Sequence, residues 1–110
     1  MRRKLPRLSA KLRELGFRAY SDYLASEHWR AFKATWIPRR TRNKQPVCEF
    51  CLAGHRRLDL HHSTYKRLGA ELPRDVVLIC DQCHSRVHRW FDKGKRSLWS
   101  TTRAVRRTAG

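Results

Sequence analysis

The sequence predicts an α+β fold, in which a strand, a loop, a strand and a helix are pinned by cysteine knuckles between N-terminal helices and a basic C-terminal tail. Three observations predict it. All four cysteines fall in two Cys-x-x-Cys pairs, Cys48/Cys51 and Cys80/Cys83, with 28 residues between Cys51 and Cys80. Between the pairs, Leu58, Leu60 and His62 alternate with Asp59 and His61, and Val76-Val77-Leu78-Ile79 is a short apolar run; both are strand patterns. After the second pair, a helical pattern places His84 and His88 one turn apart on one face.

Taken in order, residues 1–46 read as a helical and basic lead-in. Ser9 is placed to cap a short helix with Leu8, Leu12 and Leu15 on one side and Gly16 at its end. Residues 20–37 read as one longer helix. Ser21 is its expected N-cap, and Asp22 suits the first turn. Leu24, His28, Phe32 and Trp36 recur at four-residue steps, with Trp29 beside them, and Pro38 is expected to stop the helix. An aromatic stripe at this spacing is read as core, with His28 as one of its members. Residues 38–46, between Pro38 and Pro46, form a basic linker suited to phosphate contact.

Residues 47–94 form the central module. Cys48 to Cys51 is the first knuckle, and Gly54 turns the chain. Residues 57–62 are the first strand, and Gly69 and Pro73 break the loop after it. Asp75 precedes the second strand, and Asp81 is expected to cap a helix from about residue 82 to 93, ended by Gly94. Val87, Trp90 and Phe91 give that helix its core-facing side. Residues 95–110 are a basic tail in which Leu98 and Trp99 are placed to dock back; the pattern leaves helix and disorder both open.

The totals bound the function. The chain has 110 residues, and 26 Lys and Arg against 9 Asp and Glu leave a net charge of +17. One domain is the natural reading. The charge predicts a polyanionic partner, DNA before RNA, with salt-sensitive binding. The basic stretch from Met1 to Arg7 is not followed by an apolar run, and no stretch is long enough to span a membrane, so a cytoplasmic location with reduced thiols is expected. Under those conditions two Cys-x-x-Cys pairs read as a zinc site rather than two disulfides. Four thiolates fill a tetrahedral shell, so this zinc is structural and has no position for water. His55, near the first knuckle, is not needed as a ligand. A metal staple also suits a module too small for apolar packing alone.

The histidines carry the chemistry. His61 and His62 are neighbours on a strand and point to opposite faces, so one can hold a metal while the other acts on substrate. His84 and His88, at i and i+4, can share that metal.

The ordered set Cys48-x-x-Cys51, Leu58-x-Leu60-His61-His62-x-Thr64-Tyr65, Leu68-Gly69-x-Glu71, Asp75-x-x-Leu78-x-Cys80-x-x-Cys83-His84 and His88 closely resembles the HNH endonucleases, in particular the small four-cysteine proteins of phages and bacteria. Tyr23-Leu24-x-Ser26-x-x-Trp29 resembles the segment that often precedes their core. The resemblance covers roughly residues 20–90. It implies a ββα-metal (His-Me finger) core and metal-dependent hydrolysis of DNA phosphodiester bonds, leaving 3′-hydroxyl and 5′-phosphate ends. By position, His61, His84 and His88 match the ligands of a single catalytic divalent metal, and His62 matches the general base. Asp75 stands where the family has its middle asparagine, a residue that usually braces the loop between the strands and in some members binds the metal. Aspartate accepts hydrogen bonds or binds metal but cannot donate an amide proton, which implies a changed metal preference. Mg²⁺ is the usual metal, and three imidazoles also suit Mn²⁺, Ni²⁺ or Zn²⁺. Arg56, Arg57, Lys66 and Arg67 flank the site as candidate phosphate contacts. Two other readings share these residues: a non-catalytic zinc module that binds nucleic acid, and an assembly accessory of the phage-packaging kind that depends on a protein partner.

Overall fold

The structure is a computed structural model, described for residues 2–54 and 56–109; His55 lies outside the described residues. Its elements are α1 (Pro6–Leu15), α2 (Tyr20–Leu24), α3 (Glu27–Thr41), β1 (Leu58–His62), β2 (Val76–Cys80), α4 (Asp81–Lys93) and α5 (Leu98–Ala109). The class is α+β, with several helices around a two-stranded antiparallel sheet. Its core draws on the N-terminal, central and C-terminal stretches alike, from Leu8 and Trp29 through Ile79 and Val87 to Val105.

The helix starts differ from the sequence expectations, each for a local reason. α1 begins at Pro6, three residues before Ser9. Proline lacks an N–H and has a preset φ, so the first turn suits it. Gly16, at φ 83°, ends the helix as expected, and its N–H returns to the last turn. The single helix expected over residues 20–37 is two. Ser26, not Ser21, is the effective cap: its Oγ accepts from the Trp29 N–H at 3.2 Å and starts α3 afresh. The break resets the helical phase, so Tyr23, Trp29 and Trp36 are the buried aromatics, while His28 stays exposed.

Pro38 does not stop α3, which runs a further turn to Thr41. That turn is held from outside. Arg40 Nε donates to Glu49 Oε2 at 2.6 Å, and the Trp36 indole donates to the Pro73 carbonyl at 3.0 Å. Left-handed Arg42 and Asn43 end the helix. The basic linker is therefore shorter than the sequence suggested, because its first four residues are helical.

In the sheet, Leu58 faces Cys80 and His62 faces Val76, and β2 is buried along its whole length. The first knuckle is sewn to the outer edge of β2: the Glu49 N–H donates to the Leu78 carbonyl at 2.8 Å, and Leu78 N–H donates to Glu49 Oε1 at 3.2 Å. α4 follows β2 without a loop. Its N-cap is Cys80, whose sulfur accepts from the Cys83 N–H, and Asp81 is its first residue rather than its cap. Cys83, Val87 and Phe91, at four-residue steps, fill its buried face, so Trp90 falls off that face and is 41% exposed. The tail is helical. α5 packs on α4 and buries Leu98, Thr101, Thr102 and Val105, but Trp99 remains exposed.

The loop between the strands is braced by Asp75, which is fully buried. Its carboxylate accepts from the Leu72 N–H at 2.9 Å and takes a two-point pair from Arg67 at 2.8 and 2.5 Å. Burial pushes this carboxyl up, but Arg67 and the Leu72 amide outweigh it and hold it below its ordinary value. Asp75→Ala leaves the Leu72 amide unpaired while Arg67 turns to water. We expect a loss of about 1–3 kcal/mol, read as a lower urea midpoint, and a smaller loss for Asp75→Asn.

Candidate functional site

Two ligand clusters meet in the first turn of α4, which carries Cys83 of one and His84 of the other. In the first, the sulfurs of Cys48, Cys51, Cys80 and Cys83 all lie within 4.8 Å of one another. Cys51 Sγ and Cys80 Sγ are 3.7 Å apart. Four thiolates on one zinc at ~2.3 Å stand about 3.8 Å from each other, so the spacing fits tetrahedral zinc and not a disulfide. Amides already point at the sulfurs: the Phe50 and Cys51 N–H groups each donate to Cys48 Sγ at 3.4 Å. Burial pushes the Cys48 thiol up, and these amides outweigh it, bringing it down to about 7. Cys80 and Cys83 go the other way, raised by burial and by the facing sulfurs. A set of thiols that resist ionising together is suited to a cation that compensates them. The four cysteines can hold a metal such as zinc.

The second cluster is His61 on β1 with His84 and His88 on α4, again with ligand atoms within 4.8 Å. Period-two alternation turns His61 toward α4, and the i, i+4 spacing brings the other two rings to it. His84 Nε2 and His88 Nε2 face each other at 3.0 Å. Asp59, two residues before His61 and on the same face of β1, approaches His84 Nδ1 with Oδ2 at 3.1 Å, an outer-shell contact that fixes which nitrogen faces inward. Thr102 of α5 does the same for His61. Its hydroxyl proton goes to the Leu98 carbonyl at 2.8 Å, so its oxygen accepts from His61 Nε2–H at 3.1 Å and leaves the Nδ1 lone pair free. Burial and the neighbouring His84 and His88 hold His61 well below its ordinary value, and burial and His84 lower His88. Neutral imidazoles are the form that ligates metal.

His62 points the other way and has no exposed side-chain surface. Its Nε2 meets Glu71 Oε2 at 2.8 Å, and its Nδ1 meets the Tyr20 hydroxyl at 2.6 Å. Trp29 stacks on the ring at 4.4 Å between centroids. Glu71 is the hub. Its carboxylate also accepts from the Tyr23 hydroxyl and from His28 Nε2 at 2.9 Å, so His28, read from sequence as a core member, is a polar partner instead. Burial pushes Glu71 up, but the hydrogen bonds from His62, His28 and Tyr23 outweigh it and bring it down to about 2. Tyr20 and Tyr23 are both raised, mainly by burial.

A cavity of about 820 Å³ opens between the N-terminal helices and the sheet, bordered by Tyr20 and by all four central histidines. Its basic wall comes from Arg2, Arg3, Lys33, Arg57 and Arg89. Of the expected phosphate contacts, only Arg57 lines it. Arg67 is engaged by Asp75, and Arg56 and Lys66 lie outside the wall. Asp75, expected among the catalytic residues, stands outside the histidine cluster and braces the loop between the strands, the role the resemblance implies for its position. Sequence reasoning missed Asp59 and Tyr20 as site residues. The i, i+2 spacing of Asp59 and His61 was an available signal. Thr102 and the hub role of Glu71 depend on tertiary contacts.

Comparison of the chain with protein-family models, with curated proteins and with solved structures finds no match. Among the described residues, no helix is long and apolar enough to cross a membrane.

Two outcomes are expected. Loading with Co²⁺ should give the intense charge-transfer absorption of tetrahedral thiolate ligation, and chelation should abolish it and lower the melting temperature. Glu71 has a folded value near 2 against an ordinary value near 4.5, so its stabilisation is fully present above about pH 4.5 and fades as pH falls toward 2. Acid unfolding of Glu71→Gln should therefore lose part of its pH dependence in that window, measured by circular dichroism.

Proposed function

We propose that this chain is a metal-dependent DNA endonuclease of the HNH type, in which β1, β2 and α4 form a ββα-metal core. The observation that carries this reading is the convergence of His61, His84 and His88, with Asp59 behind His84, on a basic cavity that also borders His62. Three imidazoles, two of them oriented by Asp59 and Thr102, fit a divalent cation, and the residues present suit Mn²⁺, Ni²⁺ or Zn²⁺ at least as well as Mg²⁺. When bound, the cation supplies Lewis-acid stabilisation of charge on the phosphorane and leaving oxygen. The four cysteines hold a structural zinc that fixes the start of α4, and hence the placement of His84 and His88.

The chain's own residues do the rest. His62 is the general base. Glu71 accepts its Nε2–H, fixes the ring, and stabilises the imidazolium formed on proton uptake, as an aspartate does in a hydrolase triad. Arg57, Arg89, Arg2 and Lys33 draw the phosphate backbone into the cavity, and the net charge of +17 gives the complex its salt dependence. The full burial of His62 favours a second reading, a zinc-stapled nucleic-acid-binding module in which this network is only structural.

Supercoiled-plasmid cleavage separates the two. The wild type, zinc-loaded and at low salt, should nick DNA on titration with Mn²⁺, Ni²⁺ or Mg²⁺. His62→Ala and His84→Ala should each lose at least about 10²-fold in rate while still binding plasmid. Binding without cleavage by the wild type with any metal would leave the second reading standing.

A further inference from the structure

His62 is assigned as the base, yet no water touches a side chain with no exposed surface. The hydrogen bonds around it show where a proton can enter. Ionised Glu71 has only acceptors, so His62 Nε2 donates to it. In the neutral ring the lone pair is then on Nδ1, and the group against Nδ1 is the Tyr20 hydroxyl, 2.6 Å away. Tyr20 itself is only partly buried. It sits at the start of α2 and borders the cavity that His61, His84 and His88 also line. Tyr65 packs edge-on against it at 5.5 Å and fixes the ring.

We propose that Tyr20 is a catalytic residue that relays the proton from the attacking water to His62. This inference rests on the nuclease reading and on His62 as its base. The step balances as two coupled transfers. A water O–H bond breaks and its proton goes to the Tyr20 oxygen, while the Tyr20 O–H bond breaks and its proton goes to His62 Nδ1. The water oxygen bonds to phosphorus, the bond from phosphorus to the 3′ oxygen breaks, and that oxygen takes a proton from solvent. Tyr20 ends as it began, a neutral phenol. The imidazolium is paired with Glu71 and returns its proton to solvent by the same route.

The test is single-turnover cleavage of supercoiled plasmid by the zinc-loaded full chain with Mn²⁺, comparing wild type, Tyr20→Phe and His62→Ala in mixtures of H₂O and D₂O. The relay requires two protons in flight, so the wild-type rate should bow downward as the deuterium fraction rises. Tyr20→Phe keeps the ring and should fall about 10²–10³-fold, the range of general acid–base catalysis, with plasmid binding retained and the melting temperature lowered because the buried His62 Nδ1 loses its partner. Its residual rate should vary linearly with deuterium fraction. A Tyr20→Phe protein that cleaves as fast as wild type or faster, beside an inactive His62→Ala, overturns the relay and makes Tyr20 a cap over the base. A linear wild-type inventory overturns it as well, even where Tyr20→Phe is slow or poorly folded. Wild-type rates in His62→Ala instead defeat the assignment of the base, and no cleavage by the wild type defeats the nuclease reading itself.

Discussion

Alternation along a five-residue strand sends His61 and His62 to opposite faces of β1, and the rest of the molecule supplies each face with what that histidine needs. On the His61 side stand α4 with two more imidazoles, Asp59 and the Thr102 hydroxyl of α5. On the His62 side stand α2, α3 and the inter-strand loop, which bring Tyr20, Tyr23, His28, Trp29 and Glu71. Neither set can be assembled without the strand, and a two-stranded sheet is too small to stand alone in water. The flanking helices are therefore structural walls of the site rather than attachments to it.

The cysteine cluster meets the remaining weakness of so small a sheet. Cys80 does three things at once: it ends β2, caps α4 through its sulfur and belongs to the four-sulfur group. Because α4 starts at the next residue, there is no loop in which the helix could shift. His84 lies one turn from Cys80, so a metal that fixes the knuckle also fixes the imidazole. Asp75 plays the matching part at the other end of β2. Its carboxylate ties the loop to the strand entry, and the Ser63 N–H donates to its backbone carbonyl at 2.8 Å just beyond His62.

Much of this was legible in the sequence because it rests on local spacing. The Cys-x-x-Cys pairs, the alternation around His61 and the i, i+4 pair at His84 and His88 each fix a geometry within one element, and the structure brings the expected groups together. The misreadings have two causes, competition between local signals and contacts from outside the element. Ser21 and Ser26 are both reasonable caps, and Ser26 wins because it puts Trp29 and Trp36 in the core. Pro38 is a proper breaker by itself, but the Arg40–Glu49 pair carries the helix past it. What stayed illegible depends on contacts between residues far apart in the chain. Glu71 meets Tyr23 and His28 across more than forty positions, and Thr102 meets His61 across forty-one. No periodicity reports such contacts.

The same distinction applies to the charge. A chain this basic invites the assumption that every arginine near the centre faces nucleic acid, and the structure separates two populations. Arg67 and Arg40 are held by carboxylates, and Arg3 is laid over Phe91 while donating to the carbonyls of Phe91 and Arg96. These hold the fold together, Arg3 while also lining the cavity. Arg57 is shared, since its Nε donates to Asp59 at 3.2 Å from an otherwise exposed side chain. Asp59 thus stands between a basic residue at the cavity mouth and His84 within. The two oxygens of that carboxylate are divided between them, Oδ1 to Arg57 and Oδ2 to His84, so one side chain joins an exposed guanidinium to the ring of the histidine cluster.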